Sequence, residues 1–189
     1  MRKITLDEGN TSVKLALFDN DTLVSKYNNI DLNFLIKLLP KCDRLILSTV
    51  KNKSNFKTLF SNKNFVLLNN STPLPIKILY KSPTSLGNDR IALAVGAITN
   101  FPNKNVLVID AGTCITYDLI NSKKEYLGGS ISPGIQMRYN ALHQFTSQLP
   151  LLESVDTAML TGVNTEESIH SGIINGVFVE IDGIIQRYT

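Results

Sequence analysis

Tryptophan is absent from this 189-residue chain, which holds only two cysteines and two histidines. Cys42 and Cys114 are too few and too widely separated for a disulfide framework, and no Cys-x-x-Cys pair or His-x-x-x-His spacing offers a zinc site. His143 and His170 are far apart in sequence and are expected on helix surfaces rather than as ligands. No uninterrupted apolar run approaches the roughly 20 residues that cross a bilayer, and the N-terminus opens into a strand-like run rather than a cleavable leader. We therefore expect a cytoplasmic protein with reduced thiols and no membrane partner. Charge of one sign is also lacking. Nineteen basic and sixteen acidic residues are scattered to a net +3, which leaves no footprint for nucleic acid but leaves anionic small molecules open. What the chain does have is 43% hydrophobic residues, enough for one large domain or two small ones.

Two short segments stand out. Asp7-Glu8-Gly9-Asn10-Thr11 follows the aliphatic run Lys3-Ile4-Thr5-Leu6, and Asp110-Ala111-Gly112-Thr113-Cys114 follows Asn105-Val106-Leu107-Val108-Ile109. A second strand-like run follows each, so both read as hairpins with a carboxylate at the end of the first strand. Alone, Asp-x-Gly is a common hairpin turn. Repeated in matching context, it points to phosphate binding. Glycine lets backbone N–H groups come close to an anion, Asn or Thr adds a side-chain donor, and the Asp can hold a cation that neutralises phosphate charge.

Alternation and capping signals predict strands over 2–6, 13–18 and 22–27, a helix over 32–39 stopped by Pro40, and a strand over 44–48. A polar Asn- and Lys-rich helix or loop and a strand over 65–68 complete the first half. The second half repeats the opening with strands over 105–109, 115–120 and 125–131. A helix from Pro133 toward Phe145 and a longer one over 165–187 follow, the latter capped by Asn164 with Glu166 and Glu167 in its first turn. This self-similarity predicts two duplicated lobes, 1–103 and 104–189, with a cleft between them.

Two further elements carry open readings. Gly87-Asn88-Asp89-Arg90 leads into a small-residue helix over 91–97. It is either an N-capping Asp beside a surface Arg or a site where a carboxylate, a guanidinium and backbone donors converge on a ligand. Gly128-Gly129-Ser130-Ile131-Ser132-Pro133-Gly134 is either a tight structural crossing or a pocket wall.

Taken in series, Asp7-x-Gly9-Asn10-Thr11-x-x-Lys14, Leu86-Gly87-x-Asp89-Arg90, Asp110-x-Gly112-Thr113, Gly128-Gly129-x-Ile131-x-Pro133-Gly134 and Asn164-Thr165-x-x-Ser168-Ile169-x-x-Gly172 resemble the type III pantothenate kinases over residues 3 to about 183. The resemblance implies an α/β fold of duplicated ribonuclease-H-like lobes, the actin, sugar-kinase and Hsp70 superfold, with mixed sheets and flanking helices. It implies ATP-dependent phosphorylation of the 4′-hydroxyl of pantothenate, the first step of coenzyme A synthesis. By the same resemblance Asp7, Gly9, Asn10, Thr11 and Lys14 form a first phosphate loop, with Asp7 organising the magnesium of the nucleotide. Gly112 and Thr113 form a second loop, and Asp110 binds potassium or ammonium. Asp89 is the general base, and Tyr80, Gly87, Asn88, Asp89 and Arg90 hold pantothenate. Thr165 contacts it, across a homodimer interface.

Glu8 stands where the family commonly has an aliphatic residue. Strand periodicity turns it to the face opposite Asp7, where it need not touch nucleotide. The family pattern also leads to the expectation of a further strand, a Gly-rich turn and a closing helix beyond Tyr188. Two other functions remain compatible with the paired turns: a non-catalytic accessory protein of the same fold, and a sugar or acetate kinase.

Overall fold

The computed structural model describes residues 1–51, 53–56, 65–69 and 71–188. Most of the polar stretch before Phe65 lies outside the described residues. Contacts divide the chain into Met1–Lys104 with Ser122–Tyr126, and Asn105–Asn121 with Leu127–Thr189.

In the first unit, β1 (Arg2–Glu8), β2 (Val13–Asp19), β3 (Thr22–Asn28), β4 (Arg44–Thr49) and β5 (Phe65–Leu67) form one sheet in the order β3-β2-β1-β4-β5. Strand β1 runs antiparallel to β2 and parallel to β4, and β4 runs parallel to β5. Along β1 the period of two buries Ile4, Leu6 and Glu8 on one face, so a carboxylate continues the aliphatic row. Ile4 and Leu6 join Leu15, Leu35, Leu45, Leu47 and Phe56 in the core. Helix α1 (Leu32–Leu38) begins where Asp31 accepts the Phe34 N–H at 2.7 Å, and Pro40 sits in the single 3-10 turn that follows it. Two residues, Lys77–Ile78, make β6 and pair in parallel with Glu125 and Tyr126. So short a strand leaves no periodic trace in the sequence. Helix α2 (Asn88–Asn100) starts earlier than its apolar stretch indicates. Asn88, Asp89 and Arg90 form its first turn, with Gly87 at the cap position.

In the second unit, β7 (Val106–Ala111) pairs antiparallel with β8 (Cys114–Ile120), and the neighbour of β8 is β9 (Glu125–Pro133), whose first two residues, Glu125 and Tyr126, belong to the first unit. Helix α3 (Ile135–Phe145) begins after Gly134, because Pro133 is the last residue of β9. Helix α4 (Thr165–Tyr188) places Val177 against Ile115 and Tyr117, and Ile169 and Ile173 against Tyr139. By length and composition α4 could cross a membrane. In this unit its buried isoleucines serve the core, and Glu180 is hydrogen-bonded to Tyr117, Ser132 and Arg138.

Candidate active site

Both Asp-x-Gly segments are hairpin turns, and each carboxylate precedes the last residue of its strand. In the first, Gly9 donates its N–H to the Ser12 carbonyl at 3.0 Å, and Asp7 lies opposite Lys14. Asp7 and Gly9 are half-buried, whereas Asn10, Thr11 and Lys14 are exposed. In the second, Gly112 donates to the Cys114 carbonyl at 2.9 Å and Asp110 lies opposite Thr116, with Asp110, Gly112 and Thr113 all exposed. Neither glycine has a positive φ. A Cβ at Gly9 would come no nearer than 3.4 Å to other protein atoms, and one at Gly112 no nearer than 3.8 Å. Neither backbone strain nor internal packing calls for glycine at these two positions. A bare backbone that an anion can approach from outside is a use that remains.

The first turn lies beside the Gly87-Asn88-Asp89-Arg90 segment within its own unit. Registers place Asp7 opposite Ser48 and Glu8 opposite Thr49 at the end of β4. The Asn88 side-chain amide donates to the Thr49 carbonyl at 3.3 Å. Thr49, Val50, Thr84, Leu86, Gly87 and Asn88 line a cavity of about 260 Å³. Asp89 Oδ1 accepts the Arg90 N–H at 2.8 Å, which turns the carboxylate back over the positive end of α2. A Cβ on Gly87 would stand 2.4 Å from that oxygen, so glycine here keeps the carboxylate's place. Arg90 is buried with its guanidinium carbon 6.0 Å from the Tyr126 ring centre, and the Tyr80 ring meets Tyr126 edge-on at 6.2 Å. Tyr80, Arg90 and Tyr126 thus form one aromatic and cationic group. Sequence reasoning missed Tyr126. Its alternation within β9 was legible, but its partners depend on the long-range pairing of β9 with β6.

Glu8 is buried on the face expected for it. It accepts a hydrogen bond from Thr49 Oγ1 at 2.7 Å and has Lys51 Nζ at 3.9 Å.

In the second unit, Gly134 donates its N–H to the Thr113 carbonyl at 3.1 Å. A Cβ there would lie 2.3 Å from the Gly112 carbonyl oxygen and 2.4 Å from that of Thr113. Of the two readings of the Gly-rich element, close approach holds at Gly134, and what it approaches is the second turn of its own unit. Arg138 holds the preceding segment, donating from Nε to the Pro133 carbonyl and from Nη2 to Ser132 and Glu180. Burial alone would raise the Glu180 carboxyl, but hydrogen bonds from Arg138, Tyr117 and Ser132 outweigh it and hold it below the usual carboxylate value. A cavity of about 360 Å³ opens beside Ala111 and Gly112, lined also by Ile115, Ile135 and Phe178. Thr165 is exposed in the first turn of α4, where Asn164 accepts the Glu167 N–H at 2.9 Å and donates back to the Glu167 carboxylate at 2.7 Å.

The expectation of surface histidines needs correction at His170, which is half-buried with Nδ1 2.7 Å from the Tyr139 hydroxyl; His143 is exposed. Among the described residues no group of three or more His, Cys, Asp or Glu is placed to hold a metal by itself. Asp7 and Asp110 are single carboxylates at turns. Such a donor set fits a magnesium ion that arrives with phosphate oxygens and keeps water, and a weakly held monovalent cation.

A family model described as type III pantothenate kinase matches residues 3–187. A type III pantothenate kinase from Christiangramia forsetii is 43% identical over 98% of this chain and 79% of its own length. One from Cytophaga hutchinsonii is 41% identical over 98% and 80%. Among solved structures, a protein described as a conserved Baf-family transcriptional activator from Campylobacter jejuni superposes with a TM-score of 0.60 at 22% identity, covering 95% of this chain and 78% of that one. The activator of 2-hydroxyisocaproyl-CoA dehydratase from Clostridium difficile, with ADPNP bound, gives 0.52 at 11% identity over 100% and 76%. These neighbours show that the chain shares their α/β fold of mixed sheets with flanking helices.

Proposed function

From the premise that this chain belongs to the type III pantothenate kinase family and phosphorylates pantothenate with ATP in coenzyme A synthesis, we propose how its residues divide the work. Asp89 is the general base. The observation that carries this assignment is its carboxylate at the N-terminus of α2, next to the buried Arg90 and beside the cavity bounded by Gly87 and Asn88. Phosphoryl transfer asks a protein for in-line positioning and charge neutralisation more than for covalent chemistry. Asp89 accepts the proton of the 4′-hydroxyl as the phosphoryl group arrives. Tyr80, Gly87, Asn88 and Arg90 orient pantothenate, and Arg90 suits its carboxylate or amide oxygen.

The turn of Asp7, Gly9, Asn10 and Thr11, with Lys14, and the turn of Gly112 and Thr113 take phosphate oxygens. The open space around Gly9 and Gly112 supports this. Asp7 would help hold magnesium, and Asp110 potassium or ammonium; when bound, these ions neutralise phosphate charge. Thr165 contacts pantothenate in a homodimer, a state that the exposed Leu160 and Val163 just before it and the exposed Phe178 and Val179 on α4 support.

A coupled assay with pantothenate, ATP, magnesium and, in turn, potassium, ammonium or sodium tests the reading. Turnover in potassium or ammonium and its loss in sodium are expected. Equal rates in the three salts would remove Asp110 from the cation role. Product with hexoses or acetate but not pantothenate would move the chain to another kinase class, and no product with any acceptor would favour an accessory protein.

A further inference from the structure

Glu8 is a carboxylate only 4% exposed, on the core face of β1 in line with Ile4 and Leu6. A buried charge is costly unless it is held, so its partners are informative. They all lie at the end of β4. Thr49, 7% exposed, donates its hydroxyl to Glu8 Oε2 at 2.7 Å and accepts the Lys51 N–H at 3.1 Å. Lys51 Nζ lies 3.9 Å from Glu8 Oε1, and the Val50 N–H donates to the Glu8 carbonyl at 3.2 Å. Three consecutive residues, Thr49, Val50 and Lys51, are thereby fixed to one carboxylate residue. Two of the three, Thr49 and Val50, line the 260 Å³ cavity, and the Thr49 carbonyl accepts the Asn88 amide on its far side.

We propose that Glu8 and Thr49 are positioning residues for the acceptor substrate. Their hydrogen bond sets the strand-end wall of the pocket that receives pantothenate and seats Asn88, one residue before the base. This explains a carboxylate beside a phosphate turn: it serves the opposite face of the strand, and its charge is matched by Lys51. The inference rests on the pantothenate reading above.

The test uses the full chain and four variants: Thr49→Val, which keeps shape but loses the hydroxyl; Thr49→Ser, which restores it; Glu8→Gln; and Glu8→Leu. Steady-state constants for both substrates, calorimetric pantothenate affinity and melting temperature are measured together. Because a hydrogen bond to a charged group is among the stronger ones, Thr49→Val and Glu8→Leu should raise the pantothenate KM and Kd about tenfold. Removal of uniform binding should leave kcat and the ATP KM within about twofold. Thr49→Ser should recover wild-type affinity, and Glu8→Gln, which retains an acceptor, should fall between. An ATP KM that moves in place of the pantothenate KM overturns the proposal, as does a lowered melting temperature with unchanged constants for both substrates. Wild-type protein that does not turn over pantothenate would overturn the functional reading instead; an unchanged calorimetric affinity across the variants would still refute the wall.

Discussion

Replacing Gly134 by alanine places one methyl group against two carbonyl oxygens of the second turn. The added Cβ would stand 2.3 Å from Gly112 O and 2.4 Å from Thr113 O, where contacts under 3.0 Å are essentially never seen. The turn or the start of α3 must therefore yield by about 0.7 Å, and because both obstacles are backbone no rotamer change relieves them. Gly134 has φ −69°, which alanine adopts freely, so the whole effect is steric. Overpacking of this kind costs about 1–3 kcal/mol. At about 2–4 °C per kcal/mol for a chain of this length, melting should fall by roughly 2–12 °C. The same displacement stretches the Gly134 N–H bond to Thr113 and moves the Gly112–Thr113 backbone, which the proposed mechanism uses on phosphate. Misplacement near 1 Å can cost about 10²-fold, so kcat/KM for ATP should drop by about 10- to 100-fold with pantothenate affinity kept. Differential scanning fluorimetry and a coupled ADP-release assay read both. Gly172→Ala is the internal control. It sits within α4 with nothing inside 4 Å of a new Cβ and should raise stability by up to about 1 kcal/mol. A Gly134→Ala protein with wild-type melting and wild-type ATP kinetics would refute the argument.

Asp89→Asn should keep pantothenate binding by calorimetry while kcat falls about 10²- to 10⁴-fold; an unimpaired kcat would remove Asp89 as the base. Burial pushes the Tyr117 hydroxyl up from 10.0 to about 12, helped by its hydrogen bond to Glu180 and the nearby Glu180 charge. The neutral phenol is thus favoured by folding, so its contribution is complete below pH 10 and is lost as the pH rises toward 12. Denaturant titrations should show a loss of stability between pH 10 and 12 in wild type, on the order of a few kcal/mol, that Tyr117→Phe lacks; parallel pH profiles would count against it. Asp31→Ala removes the acceptor of the Phe34 N–H and should cost about 1 kcal/mol, read as a shift in urea midpoint.

The hairpins were legible because each is a local event: aliphatic alternation, a glycine turn, then alternation again. The α4 cap was legible for the same reason, since Asn164 and Glu167 are three residues apart. The start of α2 was not, because Asn88 and Asp89 look like turn residues until Gly87 is seen as the cap and Asp89 folds over its own N-terminus. Neither β6 nor the place of Tyr126 could be read. Two residues carry no period, and the partners of Lys77 and Ile78 lie nearly fifty positions away. His170 was misread because its partner, Tyr139, comes from a different helix.

Local spacing in this chain dictates which residues are candidates: two carboxylate turns, a Gly-x-Asp-Arg segment, a Gly-rich strand end and a capped long helix. Those patterns also carry the family resemblance, since backbone turns, caps and strand alternation are set by near neighbours. Tertiary structure alone decides which candidates share a surface and why a charge can be buried among aliphatics. Glu8 is tolerated because β4 brings Thr49 and Lys51 to it, the Tyr126 ring reaches the buried Arg90 only because a distant strand returns, and Gly134 is needed because the second turn leaves no room for a methyl group. Desolvation and steric exclusion depend on what is near in space, and no local pattern encodes that.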